Sequence, residues 1–128
     1  MPLMHSTLLL IDDNAVQAAT RQAILRRAGY FVLCALNPQR ALEQLRDAHF
    51  QEDIHLVITD HIMPCMNGAE FVRELRKLMP ELPVLVISGL DEAEHQYRNL
   101  GVTFRVKPVL PENLLATVAT LLKNPAAA

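Results

Sequence analysis

Short aliphatic runs without polar alternation recur along the chain. Leu8-Leu9-Leu10-Ile11, Leu56-Val57-Ile58-Thr59 and Val84-Leu85-Val86-Ile87 are the purest. Phe31-Val32-Leu33-Cys34-Ala35 and the short Phe104-Arg105-Val106 add two more. A strand that is apolar on both faces has to be covered on both faces. That condition is met by a parallel sheet packed between helices.

Helical patterns fill the gaps between these runs. Strands are expected at 7–11, 30–35, 54–59, 83–88 and 103–106. The first helix is expected over 14–28, with Gly29 as its stop. Asn37-Pro38 reads as an N-cap followed by proline at the first helical position. The second helix then continues to about Ala48, with Ala41, Leu42, Leu45 and Ala48 on one face. The segment 60–67 holds Pro64 and reads as a loop. The third helix, from Gly68 to the stop at Pro80, buries Phe71, Val72, Leu75, Leu78 and Met79. A fourth is expected over 91–100 and a fifth over 111–123, the latter with Leu114, Leu115, Val118, Leu121 and Leu122 inward. The order βαβαβαβαβα specifies an α/β fold. The 128 residues suit one domain, with a core at about 7–123 and a frayed tail at 124–128. No internal repeat, linker or second domain is evident.

Composition narrows the function classes. The net charge of −2 gives no footprint for nucleic acid or an anionic membrane. No apolar run approaches the ~20 residues of a membrane span. The start, Met1 to Ser6, lacks the order of a signal peptide, so the expected compartment is the cytoplasm. Cys34, within an apolar run, is expected to be a small buried hydrophobe, and Cys65 to lie in a loop. No disulfide is expected.

The chemistry gathers at the ends of the aliphatic runs. Asp12-Asp13 follow the first, Asp60 the third in chain order, Ser88 ends the fourth, and Lys107 follows the fifth. In an open parallel sheet these ends share one edge, where ligands bind. Neighbouring buried carboxylates repel and are costly to desolvate without a cation. Hard oxygen donors suit Mg²⁺ or Mn²⁺. Capping of the first helix needs only Asn14, which leaves the two acids before it for another purpose.

Asp60 opens the segment Asp60-His61-Ile62-Met63-Pro64-Cys65-Met66-Asn67-Gly68. Here the sequence resembles the receiver domain of two-component response regulators, of the chemotaxis-regulator type. Their phosphoacceptor segment reads D-x-x-M-P-x-M-[DN]-G, and every fixed position is filled. The resemblance runs from about Leu8 to Leu122 and includes the acidic pair, Ser88 and the Lys107-Pro108 step. It implies a flavodoxin-like, doubly wound sheet of five parallel strands in the order 2-1-3-4-5, with five helices. It further implies that Asp60 takes a phosphoryl group from a histidine kinase or phosphotransfer protein and forms an acyl phosphate. Asp13, Asp60 and the backbone carbonyl of Ile62 would bind the metal directly, and Asp12 mostly through water. Lys107 would pair with Asp60 before transfer and with a phosphoryl oxygen afterwards, and the Lys107-Pro108 bond would be a candidate cis peptide. Ser88 would hydrogen-bond the phosphoryl group, and Phe104 would be the second switch residue, lacking the hydroxyl of a tyrosine.

Some positions depart from the common pattern. Ile62 and Leu90 are apolar where many relatives carry polar side chains, so neither can orient an attacking water. The phosphorylated form is therefore expected not to shed its phosphate unusually fast, and loss within seconds would count against this. Gly89 replaces a common alanine and would loosen the switch loop. His61 is expected to point to solvent near the site entrance. His5, His49, His55 and His95 lack zinc-ligand spacing.

The expected function is that of a phosphoacceptor regulator, not an enzyme, either stand-alone or excised from a larger protein. Its switching surface around the fourth helix, fifth strand and fifth helix would bind a downstream effector protein, with Tyr97, Leu100 and Phe104 as surface or switch contacts, although helical residues at such spacing are as often core. Charges there are too sparse for a cross-dimer ion-pair network, so a monomer or weak dimer is expected. Alternatives are a small Mg²⁺-dependent aspartyl-phosphate phosphatase or phosphotransferase, which the absence of a D-x-D motif disfavours, and a non-phosphorylated receiver-like interaction domain. A flavin-binding domain of similar topology is disfavoured by acids that would repel a nucleotide phosphate.

Overall fold

The computed structural model of the protein describes residues 6–50 and 53–123. The expectations for the start of the chain and for a frayed tail at 124–128 lie outside the described residues. Five strands form a parallel sheet: β1 (Thr7–Ile11), β2 (Phe31–Ala35), β3 (Leu56–Asp60), β4 (Val84–Ser88) and β5 (Thr103–Val106). Their spatial order is β2-β1-β3-β4-β5. The helices are α1 (Ala15–Arg27), α2 (Pro38–Arg46), α3 (Gly68–Leu78) and α4 (Pro111–Lys123), with a 3-10 helix over Asp91–Tyr97 between β4 and β5. This is the expected doubly wound, flavodoxin-like architecture with five helical segments.

Alternation along the strands divides the core into two layers. Leu9, Ile11, Val57, Val84, Val86 and Phe104 face one side and pack with Ala41 and Leu42 of α2, Phe71, Val72 and Leu75 of α3, and Ala93 and Tyr97 of the 3-10 helix. Leu8, Leu10, Leu56, Ile58, Leu85 and Ile87 face the other side, against Ala18 and Leu25 of α1 and Leu114, Val118 and Leu121 of α4. Each buried aliphatic side chain contributes about 1.5–3 kcal/mol. The three central strands are therefore uniformly apolar because each has a helical layer on both sides.

Local signals fix the helix ends. The Asn14 side chain accepts from the N–H groups of Val16 and Gln17, both at 3.0 Å, and caps α1. Gly29, at φ +104°, ends α1 in a left-handed conformation that a β-carbon would disfavour. Asn37 caps α2. Asn67 and Glu70 form a reciprocal capping box on α3.

Four expectations change. The fourth helix is a 3-10 helix without a side-chain N-cap, and it ends at Tyr97 because Arg98 turns to an extended ψ of 136° and Asn99 to a positive φ of 64°. Cys34 is exposed, because β2 is an edge strand and half of its surface lacks a neighbouring layer. The α2 helix ends at Arg46, which leaves Ala48 exposed beyond it. Leu78, in the last turn of α3, is exposed where the chain turns away from the sheet. Arg76 secures that turn: its guanidinium donates to the carbonyls of Leu100, Met79, Leu82 and Gly101 at 2.7, 3.1, 2.6 and 3.0 Å.

Candidate functional site

Strand register brings the ends of β1, β3, β4 and β5 to one edge. Ile11 lies beside Thr59, so Asp12 emerges next to Asp60. Asp60 lies beside Ile87, and Ser88 beside Val106. The backbone N–H of Lys107 donates to the Ser88 carbonyl at 2.7 Å, and the Lys107-Pro108 peptide is cis. The chain order reverses between β1 and its two neighbours, the place where ligand crevices form in open α/β sheets.

Asp60 is buried and doubly engaged. Its Oδ2 is 2.8 Å from Lys107 Nζ, and its Oδ1 accepts from the His61 N–H at 2.8 Å. Lys107 Nζ also donates to Gln17 Oε1 at 3.0 Å. Asp12 is wholly buried: Oδ1 accepts from the Asn14 N–H at 2.9 Å, and Oδ2 is ion-paired with Arg21 at 3.0 Å. Burial pushes the Asp12 carboxyl above the usual carboxylate range; the Asn14 hydrogen bond lowers it and the Asp60 charge raises it further. Asp13 is exposed, and Ile62 is 60% exposed at the rim. Ser88 is buried, and its Oγ accepts from the Leu90 N–H at 3.0 Å, which leaves its own proton free to donate.

Gln17 and Arg21 escaped the sequence reading. They stand one helical turn apart on α1, a spacing that puts both on the face toward the acids. No motif marks them. His61 is corrected outright. It is 5% exposed rather than turned to solvent, and its Nδ1 lies 2.6 Å from the Tyr97 hydroxyl, the proton placed by the imidazole tautomer. Burial lowers the imidazole pKa, against the raising charge of Asp60, and raises that of the Tyr97 phenol, so it favours the neutral form of each. Of the two readings open for Tyr97 and Phe104, surface or switch contact and core, the structure has both residues in the core, 4% and 9% exposed, with ring centroids 5.6 Å apart.

Gly68 explains the last position of the D-x-x-M-P-x-M-[DN]-G segment. A β-carbon there would lie 2.6 Å from the Asp60 carbonyl oxygen and closer still to the Tyr97 hydroxyl. The Gly68 N–H donates to the His61 carbonyl at 2.8 Å. The glycine lets the N-terminus of α3 press against the segment that carries Asp60.

Among the described residues, no three His, Cys, Asp or Glu side chains stand close enough to cage an ion as they are. The donor chemistry nevertheless fits a hard divalent cation. Two buried acids repel across the edge, Arg21 and Lys107 balance them, and the exposed Asp13 follows Asp12 directly.

The pattern of a sheet edge with paired acids, a third acid held by lysine and a strand-end hydroxyl agrees with a sequence profile described as the response regulator receiver domain, which matches residues 8–119. The chain belongs to that family. As a receiver, it is 36% identical over 121 residues to the sensory/regulatory protein RpfC of Xanthomonas campestris, covering 89% of this chain and 16% of that one. It is 32% identical over 120 residues to the transcriptional regulatory protein ZraR of Escherichia coli K12, covering 91% of this chain and 26% of that one. The receiver thus spans about a quarter or less of these relatives. Among solved structures it is similar to the chemotaxis response regulator CheY4 of Vibrio cholerae, with a TM-score of 0.81, 29% identity, and 93% and 100% of the two chains covered. A CheY-like receiver of Methanospirillum hungatei gives a TM-score of 0.87 at 24% identity, over 97% and 98% of the chains, which speaks to the fold. Among the described residues, no helix is long and apolar enough to cross a membrane.

Proposed function

We propose that this receiver is a phosphoacceptor switch, and that Asp60 is the residue modified. The observation that carries the reading is the buried Asp60 carboxylate, held 2.8 Å from Lys107 Nζ beside the buried Asp12. A carboxylate so placed is a competent covalent nucleophile. One Asp60 oxygen forms a bond to phosphorus while the bond from phosphorus to the imidazole nitrogen of a phosphohistidine breaks. That nitrogen leaves with the electron pair and takes up a proton. Lys107 neutralises charge on Asp60 beforehand and then meets a phosphoryl oxygen. Ser88 has an unused proton to donate to another phosphoryl oxygen. Ile62 and Leu90, both exposed aliphatics, offer no hydrogen bond to an attacking water.

Asp12, Asp13, Asp60 and the Ile62 carbonyl would hold Mg²⁺ or Mn²⁺. Such an ion, when bound, screens the repulsion between carboxylates and phosphoryl oxygens. The donor is a histidine kinase or phosphotransfer protein. The recipient of the signal is an effector protein meeting the face of the 3-10 helix, β5 and α4. The chain acts in the cytoplasm, as a monomer or weak dimer, and turns over no substrate of its own. Incubation with acetyl phosphate and Mg²⁺ should add the mass of one phosphoryl group to the intact chain and none to Asp60→Asn. Equal labelling of both proteins would exclude Asp60 as the acceptor.

A further inference from the structure

The segment that carries Asp60 is tied to the opposite end of the 3-10 helix by a buried side-chain chain. The His61 peptide is pinned on both sides: its N–H donates to Asp60 Oδ1 and its carbonyl accepts from Gly68 N–H, each at 2.8 Å. Its ring meets Tyr97 edge-on, centroids 5.5 Å apart at 68°, with the 2.6 Å hydrogen bond between Nδ1 and the hydroxyl. Tyr97 in turn packs on Phe104 of β5 at 5.6 Å and 48°. Phe104 has no hydroxyl with which to report on the site. Tyr97 supplies one, from the 3-10 helix, and aims it at the residue bonded to Asp60.

We propose that His61 and Tyr97 are positioning residues of the receiver site, their hydrogen bond orienting Asp60 through the His61 peptide and carrying its displacement to Phe104 and the 3-10 helix. The inference rests on the reading of Asp60 as phosphoacceptor. Any change at Asp60 Oδ1 alters its bond to the His61 N–H and tilts that peptide. The His61 ring is buried and bonded to Tyr97, so it moves with the peptide and takes the Tyr97 hydroxyl along. Close-packed interiors transmit such shifts as discrete rearrangements. Gly68 is the space that makes the chain possible, since a β-carbon there would occupy the position of the Tyr97 hydroxyl.

The test is a double-mutant cycle on the full chain with acetyl phosphate and Mg²⁺. Tyr97→Phe removes only the hydroxyl, and His61→Phe breaks the same bond from the other side. Phosphoryl uptake is followed by intact mass, and the backbone amide shifts of residues 103–106 are compared before and after uptake. Each single variant should take up phosphate about two- to tenfold more slowly, the range that loss of one hydrogen bond allows. The double variant should be no slower than either single one. The amide shifts at 103–106 should shrink to less than half of the wild-type change. His61→Asn, whose amide reaches the Nδ1 position, should recover rate lost in His61→Phe and decides the matter should the phenylalanine not fold. Additive losses, or unchanged shifts at 103–106 in phosphorylated Tyr97→Phe, overturn the inference alone. Failure of the wild type to take up phosphate overturns the reading of Asp60 and the inference with it.

Discussion

Asp12 occupies a position that works against its own charge. Burial dominates its environment, and Arg21 and Asn14 offset it only in part, so its pKa lies above the ordinary carboxylate value. A carboxyl raised on folding contributes stability that is fully present below its unfolded pKa and is lost as pH rises through the folded one. At neutral pH the metal-free protein therefore carries an unfavourable term that a neutral isostere would remove. Asp12→Asn should raise the melting temperature of the metal-free protein at pH 7. The gain should shrink as the pH falls through the raised Asp12 value, where the wild-type side chain is itself neutral. Thermal melts across that range check the sign; a lower melting temperature at pH 7 would mean that the Arg21 ion pair outweighs burial. Asp12 was legible as a site candidate because Asn14 alone suffices to cap α1, which leaves the acids before it for another purpose. Its partner Arg21 was not legible, since an arginine on a helix face reads the same whether it meets solvent or a buried acid.

Among the elements, α3 shows most clearly how the site depends on close approach. Its first residue, Gly68, lies where a β-carbon would meet the Asp60 carbonyl oxygen at 2.6 Å and the His61 α-carbon at 3.0 Å. Neither backbone atom can give way without moving β3. Gly68→Ala should destabilise the fold by about 1–3 kcal/mol, the usual cost of overpacking, measurable by urea denaturation. A cost below a few tenths of a kcal/mol would show that α3 shifts freely. The strands and the caps at Asn14 and Asn37 were readable because each rests on a local rule, whereas the capping box at Asn67 and Glu70 emerged from the structure. The burial of His61 was not, because a loop residue belongs to no period, and its partner Tyr97 lies 36 positions away. The fourth helix, expected over 91–100, is a 3-10 helix that ends at Tyr97, since Gly101 marks a stop in the sequence but not the earlier turn at Arg98 and Asn99. The exposure of Cys34 depended on β2 being an edge strand, a fact of sheet order that its own sequence does not carry.

At the scale of the molecule, two hydrophobic layers clamp one sheet and leave its carboxyl edge to hold charge. Hydrophobic packing on both faces keeps β1 and β3 fixed while Asp12, just beyond the end of β1, and Asp60, the last residue of β3, repel each other. The same rigidity makes a change of charge at Asp60 an event that the surrounding elements have to absorb. The central claim is that this charge change is an acyl phosphate on Asp60. Borohydride reduction of the protein after treatment with acetyl phosphate and Mg²⁺, followed by peptide mapping, tests it most directly, because reduction converts an aspartyl phosphate to homoserine. The account predicts homoserine at position 60, and none when the divalent cation is chelated first. Homoserine at another aspartate, or at no position, would contradict it.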